Sequence, residues 1–505
     1  MNATATAGAR RSALTAEAVR SMTAARSHVD RVRARATSAA AAGVGLALLV
    51  AGSVATVQDT VFTGTSRGTD AAGRQFVEDT YEAAGGLAPF LAQPGLRPGF
   101  VVAAVLLVLP FLALAVQALR VGQVVEDRRA RQLLVAGATS ADLRRLRTAR
   151  TTAAFLRGGL AAGPLYVLLW LVLGAAPPAG YRMLPPLHWA MPLIWAAVTV
   201  VLWALARVLG TTAFRRQDVL VWQRTGAVPR VPSRLFVLLS AVAGGVLLLT
   251  APAVAGRGGG DVVFPVTLVV AVVLFVLAAG AGVARSSAGV FRTADAPVPT
   301  PDRRSRSVRT RGDAAVGLLA EAQRRGNTGA VTGTAGVLFL CGLSFGVEST
   351  FAAGVLAEAN HTAEDLRFYV GGAALAGAVG LLGAAVAIAA LVLSLTDHLL
   401  GNRRAVASTA ALGVPVSRLV RVQAVSLVRT AVPVTAIGVL VSALPYSVTA
   451  LGRPAEGTAA WWTALLPLAV AVVVTAATTA ACFALARLLS GRVRAAAALE
   501  NLRVP

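Results

Sequence analysis

What most constrains this chain is the recurrence of apolar runs that reach across a bilayer. Residues 39–57 and 100–119 contain no charged side chain. At ~1.5 Å per helical residue, each run approaches the roughly 30 Å of a hydrocarbon core. Comparable runs occupy residues 160–173, 191–209, 235–254, 262–283, 331–346, 368–395, 425–444 and 461–485. Backbone in lipid must satisfy its own hydrogen bonds, which a helix does within one segment. The pattern therefore predicts an all-α polytopic membrane protein with about ten transmembrane helices. Composition agrees, since 56% of the 505 residues are hydrophobic and 14% charged, where soluble domains carry roughly a quarter charged.

Charge narrows the function classes. The net charge of +24 would fit a nucleic-acid binder, but the basic loops lack interleaved aromatics, so no nucleic acid is expected. With the segment before the first run placed inside, the arginines collect in alternate, inner loops, and the intervening outer segments carry Asp59, Glu78, Asp79, Glu82, Glu348, Glu358, His361, Glu364 and Asp365. This positive-inside pattern predicts a multi-pass protein of the cell membrane with both termini cytoplasmic. The arginine-only, alanine-rich composition points to a bacterial genome rich in GC. All 47 basic residues are arginine, and a phosphate-cradling P-loop needs a lysine. The chain is therefore not expected to be an enzyme by itself. It is expected to carry no cofactor or metal, because no paired carboxylates, metal cluster or nucleophile–base pair falls at membrane depth. Cys341 and Cys482 lie inside apolar runs, as small packing residues do. The first 37 residues are too rich in arginine beside the first run for a cleaved signal peptide.

Two basic segments between runs echo one another. The first is EDRRARQLLVAGATSADLRRLRTAR, residues 126–150, and the second is NRRAVASTAALGVPVSRLVRVQAV, residues 402–425. Superposing Gly137 on Gly413 places Arg128 on Arg404, Leu143 on Leu419 and Arg145 on Arg421. Each glycine suits the left-handed residue that closes a helix. Thr139 or Ser140 then caps the next helix, with Asp142 favouring its N-terminus. In the second copy Pro415 sits where a first-turn proline is tolerated. Both copies thus predict helix, sharp turn, helix. Leu133, Leu134 and Ala136 leave a small apolar tip among arginines in the first.

The remaining organisation follows from charge and spacing. Residues 1–37 form a cytoplasmic segment whose 14–35 stretch is expected to lie as an amphipathic helix on the inner surface. Residues 38–209 form a first four-helix unit, with an outer segment over 58–98 that could fold as a small cap. Residues 210–284 hold a linker and a central transmembrane hairpin. The basic stretch 285–327 ends in a second surface helix over 314–325. Residues 328–490 form a second four-helix unit, and 491–505 a cytoplasmic tail. The fourth run of each unit ends alike, ALARVLG and ALARLLSG, setting Arg207 opposite Arg487. An internal repeat of this kind predicts a pseudo-two-fold bundle. The glycines at 377, 380 and 383 are expected to serve close helix packing.

This layout resembles the FtsX-like permease family of ABC transporters, of the MacB type, over residues 15–209 and 314–505. The segments LLVAGATSADLRRL and STAALGVPVSRLV are similar to the turn that members carry between their second and third spans. The two-unit arrangement with a hairpin between is similar to the bacitracin-efflux branch. The resemblance implies that each elbow holds a coupling helix docking on a separate ATPase. The residues it implicates are Arg128, Arg131, Leu133, Leu134, Ala136, Gly137 and Leu143, and in the second copy Arg404, Ala410, Leu412, Gly413 and Leu419. It further implies two ATPase subunits holding ATP and Mg, and an amphipathic substrate exported or drawn from the outer leaflet. Members often carry an acidic residue before the tip, as Glu126 and Asp127 do here, and a glutamate at the start of the third span. The sequence departs from this at the second elbow, where Asn402 and Arg403 have no acid beside them, and at Arg147 and Gln423.

Two other readings compete. An ion-driven secondary transporter usually places ionisable residues in its spans. The runs above contain none near their centres, with Asp397 and His398 at an inner end. A non-transporting relay of ATPase motion within the same family is the other.

Overall fold

The computed structural model describes residues 28–57, 60–69, 75–83, 86–88, 91, 97–175, 182–215, 233–254, 263–289, 316–323, 328–357, 363–451 and 460–502. The helix α1, His28–Ala55, starts the described chain. It is continuous: the arginine-rich residues 28–35 share one helix with the first apolar run, in place of the expected break between a surface helix and a span. No glycine or proline interrupts 28–42, and the alanine-rich join favours helix throughout. The expected surface helix over 14–27 lies outside the described residues.

Helix α2, Arg97–Arg120, follows with Pro110 inside it. Then come α3, Gln123–Val135, α4, Ser140–Trp170 with a π-helical extension over Leu171–Ala175, and α5, Met191–Arg215. Helices α6, Arg234–Val254, and α7, Val263–Gly289, pack on each other. A short helix α8 spans 316–323. The second half contains α9, Thr328–Ala357, α10, Ala363–Gly401, α11, Arg403–Ala411, α12, Val416–Leu451, and α13, Ala460–Leu488. Helix α14, Ser490–Ala496, and a 3-10 turn, Leu499–Leu502, end it.

Nine helices among the described residues are long and apolar enough to cross a bilayer. Helix α6 adds a shorter apolar stretch among those residues, Arg234–Leu247. The predicted boundaries after residues 37, 209, 284 and 490 each fall inside a helix.

The two halves of the chain share a pattern of helix contacts. Helix α1 touches α2, α4 and α5, and α4 touches α5. Likewise α9 touches α10, α12 and α13, and α12 touches α13. The first core gathers Val44, Leu49, Phe155, Tyr166, Val198 and Leu202. The second gathers Leu338, Phe339, Cys341, Leu391, Val434 and Cys482, with Phe275 and Val276 of α7 against it. Small residues let backbones approach where lipid gives helices no hydrophobic reason to associate. Gly342 and Gly346 of α9 and Gly438 of α12 each face backbone of the opposite helix with no room for a side chain. Gly158 does the same between α4 and α1. The halves meet where α2 packs on α10 and α9.

At the end opposite the elbows, the predicted small cap contains a two-stranded antiparallel sheet, so the fold is not wholly helical. Strand β1, Thr60–Thr69, pairs with β2, Gln75–Ala83, and a bulge falls between Phe62 and Gly64. Its Thr- and aromatic-rich strands fit a pleated surface. The cap is tied down by Val54, Leu87, Ala88 and Leu91. Arg97 donates to the carbonyls of Leu91 and Val57, both at 2.8 Å. His188 Nδ1 accepts the Ala190 N–H (3.1 Å), and its Nε2 lies 3.0 Å from the Thr56 hydroxyl.

Candidate functional site

Both basic echoes fold as the predicted helix–turn–helix, by two local routes. Gly137 (φ +97°) and Gly413 (φ +89°) occupy the left-handed region. Each glycine N–H bonds back three residues, to Leu134 O (3.1 Å) or Ala410 O (2.9 Å). Each following N–H reaches back five, from Ala138 to Leu133 O (2.9 Å) and from Val414 to Thr409 O (3.4 Å). This double closure satisfies carbonyls that a helix end would otherwise orphan. After the first turn, Thr139 caps α4 and exchanges hydrogen bonds with Asp142 in a capping box. After the second, the Pro415 carbonyl accepts from Leu419 N (3.3 Å). Proline thus stands one position before the helix proper, where its missing N–H costs nothing.

The two tips present apolar side chains to open space. Val135 is 90% exposed and Leu412 86% exposed. Ala136, Gly137 and Gly413 are exposed beside them, as are the neighbouring Arg131 and Arg404. Leu133, Leu134 and Leu143 are half-buried. Ala410 packs against the core beneath the second elbow, and Leu419 is buried in it. Those two therefore hold the elbow to the bundle. The side chain of Arg128 lies outside the described part. Val135 was missed in the sequence, because the face of α3 that points outward is set by long-range ion pairs.

Those ion pairs brace the first elbow. Glu126 of α3 is paired with Arg33 of α1 and with Arg150 of α4 (3.1 Å). Arg129 reaches Asp30 at 2.9 Å. Burial alone would raise the Glu126 carboxyl, but the charge and hydrogen bond of Arg33, with the charges of Arg150 and Arg147, outweigh it and hold the carboxyl below its ordinary range. The second elbow has no such acid and is braced by apolar contact instead. Leu395, Leu399, Leu419, Leu489, Val493 and Ala497 form a small core joining α10, α12 and α14. Arg492 donates to Thr396 Oγ1 (2.7 Å), tying α14 to α10. An open groove beside α11 is lined by Gly401, Asn402, Arg404, Ala405, Ser408 and Leu502. Gln423 is buried and accepts a hydrogen bond from Gln323 of α8.

The halves are pinned together at the base of the first elbow. Gly122 (φ +77°) breaks α2 from α3, and its N–H donates to Asp397 Oδ1 of α10 at 2.8 Å. The Arg120 side chain lies within electrostatic reach of the same carboxylate.

Helix α9 runs on to Ala357 past the expected span end at Gly346. Glu348, expected in an outer loop, therefore stands in helix, within the apolar stretch Thr334–Ala357. A single charge interrupts a hydropathy run without breaking a helix, and Thr350–Ala357 supplies residues that continue it. Among the described residues, no group of three or more His, Cys, Asp and Glu side chains is placed to hold a metal ion. No protein-family model, curated protein or solved structure matches this chain.

Proposed function

We propose that this chain is the membrane-spanning permease of an ABC transporter. In this reading it comprises two FtsX-like four-helix units and a hairpin, α6–α7, in a bacterial cell membrane with both elbows in the cytoplasm. The observation that carries the reading is the pairing of elbows. Two helix–turn–helix corners, each between the second and third helices of its half, end in the same left-handed glycine and hold out one naked apolar side chain. An exposed valine or leucine at the tip of a rigid corner is a knob for a partner's groove. With no lysine, the chain lacks the P-loop lysine that ordinary nucleotide hydrolysis requires, so the partner supplies ATP and Mg chemistry.

The mechanism follows from helix continuity. Helix α4 runs unbroken for 31 residues from the first elbow, and α12 for 36 from the second. At ~1.5 Å per residue, each is a lever spanning the whole bilayer. Two ATPase subunits closing on ATP draw the knobs together. The ion-pair brace and the apolar brace pass that motion to α1 and α10, while the Gly122–Asp397 contact serves as a pivot between halves. The far ends of the levers then change the width of the mouth beneath the cap, expelling an amphipathic substrate or lifting it from the outer leaflet.

Purification in mild detergent followed by an ATP hydrolysis assay tests this. Copurification of a nucleotide-hydrolysing subunit at two copies per chain is expected. A chain that purifies alone and catalyses uptake driven by an ion gradient would replace the reading. Glu348 within the apolar helical stretch Thr334–Ala357 is the observation favouring that second reading.

A further inference from the structure

Glu348 lies within the apolar stretch Thr334–Ala357 of α9. It lies on α9 nine residues before Ala357, about 13 Å along the axis from that helix end. Its carboxylate reaches across to α10 at Gly377, where a side chain's first carbon would lie 2.6 Å from Oε1 and 3.5 Å from Oε2. Only glycine leaves that space. The glycine ridge continues along the same pair of helices, with Gly380 opposite Ser344 Oγ and Gly383 opposite Cys341 Sγ. One turn the other way, Phe351 of α9 meets Tyr369 of α10 edge-on, with centroids 5.9 Å apart.

Simple helix packing does not account for this carboxylate. An acid retained at membrane depth for packing would be matched by a cation or donor. Glu348 has no hydrogen bond or ion pair among the described residues. It is half-exposed, and Phe351 beside it is exposed. A lone carboxylate one helical turn from an exposed phenylalanine that packs on a tyrosine is the chemistry that binds organic cations, combining charge with the negative faces of the rings.

We infer that the seam between α9 and α10 at Glu348, Gly377, Phe351 and Tyr369 is a binding site for the positive group of a cationic amphiphile. This deepens the transport reading and rests on it for the ligand's role as substrate. Gly377 gives the carboxylate its place against α10, Glu348 takes the charge, and the exposed apolar side chains of α9 accommodate the tail.

The test is a titration of the full chain in lipid nanodiscs with tetraphenylphosphonium, and with tetraphenylborate as the anion of matched shape. Saturable binding of the cation and none of the anion are expected. Glu348→Gln, which preserves shape, should weaken cation binding by at least about tenfold, whereas Glu348→Asp should retain most of it. A melting profile of the Gln variant matching the parent's separates lost binding from lost folding. Unchanged binding in Glu348→Gln, equal binding of the anion, or no saturable binding at all would overturn the site. None of these titrations needs an ATPase. Failure here alongside intact ATPase association removes only the cation site. Cation binding in a chain that recruits no ATPase removes the ATP-coupled reading and leaves the cation site standing.

Discussion

Trimming both knobs should abolish partner binding while leaving the bundle untouched. Val135 and Leu412 are almost wholly exposed, so nearly their full apolar area is available for burial in a partner. Leu412→Ala removes three carbons and Val135→Ala two, which at ~0.8 kcal/mol per buried methylene is ~2.4 and ~1.6 kcal/mol. The knobs sit on separate elbows without shared contacts, so the losses should add. The sum, ~4 kcal/mol, is close to a thousandfold in affinity at ~1.4 kcal/mol per tenfold. Stability should change by less than ~0.5 kcal/mol, as for other exposed substitutions. The assay is ATPase activity recovered per mole of purified permease, read with the melting temperature of each variant. Each single variant should lose part of the activity and the double variant essentially all. Full recovery in the double variant refutes the reasoning, and so does loss accompanied by a lower melting temperature.

Three further outcomes follow from the same geometry. Gly137→Ala and Gly413→Ala meet no neighbour within 4 Å, so the cost is backbone strain alone, ~1–2 kcal/mol. Asn at either position should cost less, measured by limited proteolysis at the turn. Removing the acceptor with Asp397→Ala orphans the Gly122 N–H and should cost ~1–3 kcal/mol, seen as a lower melting temperature and weaker crosslinking between α2 and α10. The Glu126 carboxyl is held below its ordinary range. Its brace therefore contributes fully above the unfolded-state pKa and is lost as pH falls through the folded one. Proteolysis of α3 should accelerate on acidification. Glu126→Gln should show the faster cleavage at neutral pH with little further pH dependence.

The elbows were legible in the sequence because their determinants are local. A glycine at a helix end, a Thr-x-x-Asp cap and a proline before a helix each fix geometry within a few residues. The apolar runs were legible for the same reason. What escaped depended on distant partners. Val135 points outward because Asp30 and Arg33, roughly a hundred positions earlier, grip the opposite side of α3. The length of α9 escaped because Glu348 looks like the start of a loop until Gly377 gives its carboxylate a place. The tail brace is a partial case. Leu489, Val493 and Ala496 repeat at helical spacing, yet only folding reveals that they pack under Leu419. The strands beyond α1 were weakly signalled, being polar and short beside long apolar runs.

The most direct measurement is site-directed crosslinking in native membranes from Val135→Cys and Leu412→Cys. Both native cysteines are buried and should stay silent. The account predicts that each introduced thiol, unreactive to impermeant maleimide from outside the cell, crosslinks to a nucleotide-hydrolysing subunit. Labelling of both thiols from outside, or crosslinks from neither to any such subunit, would contradict it.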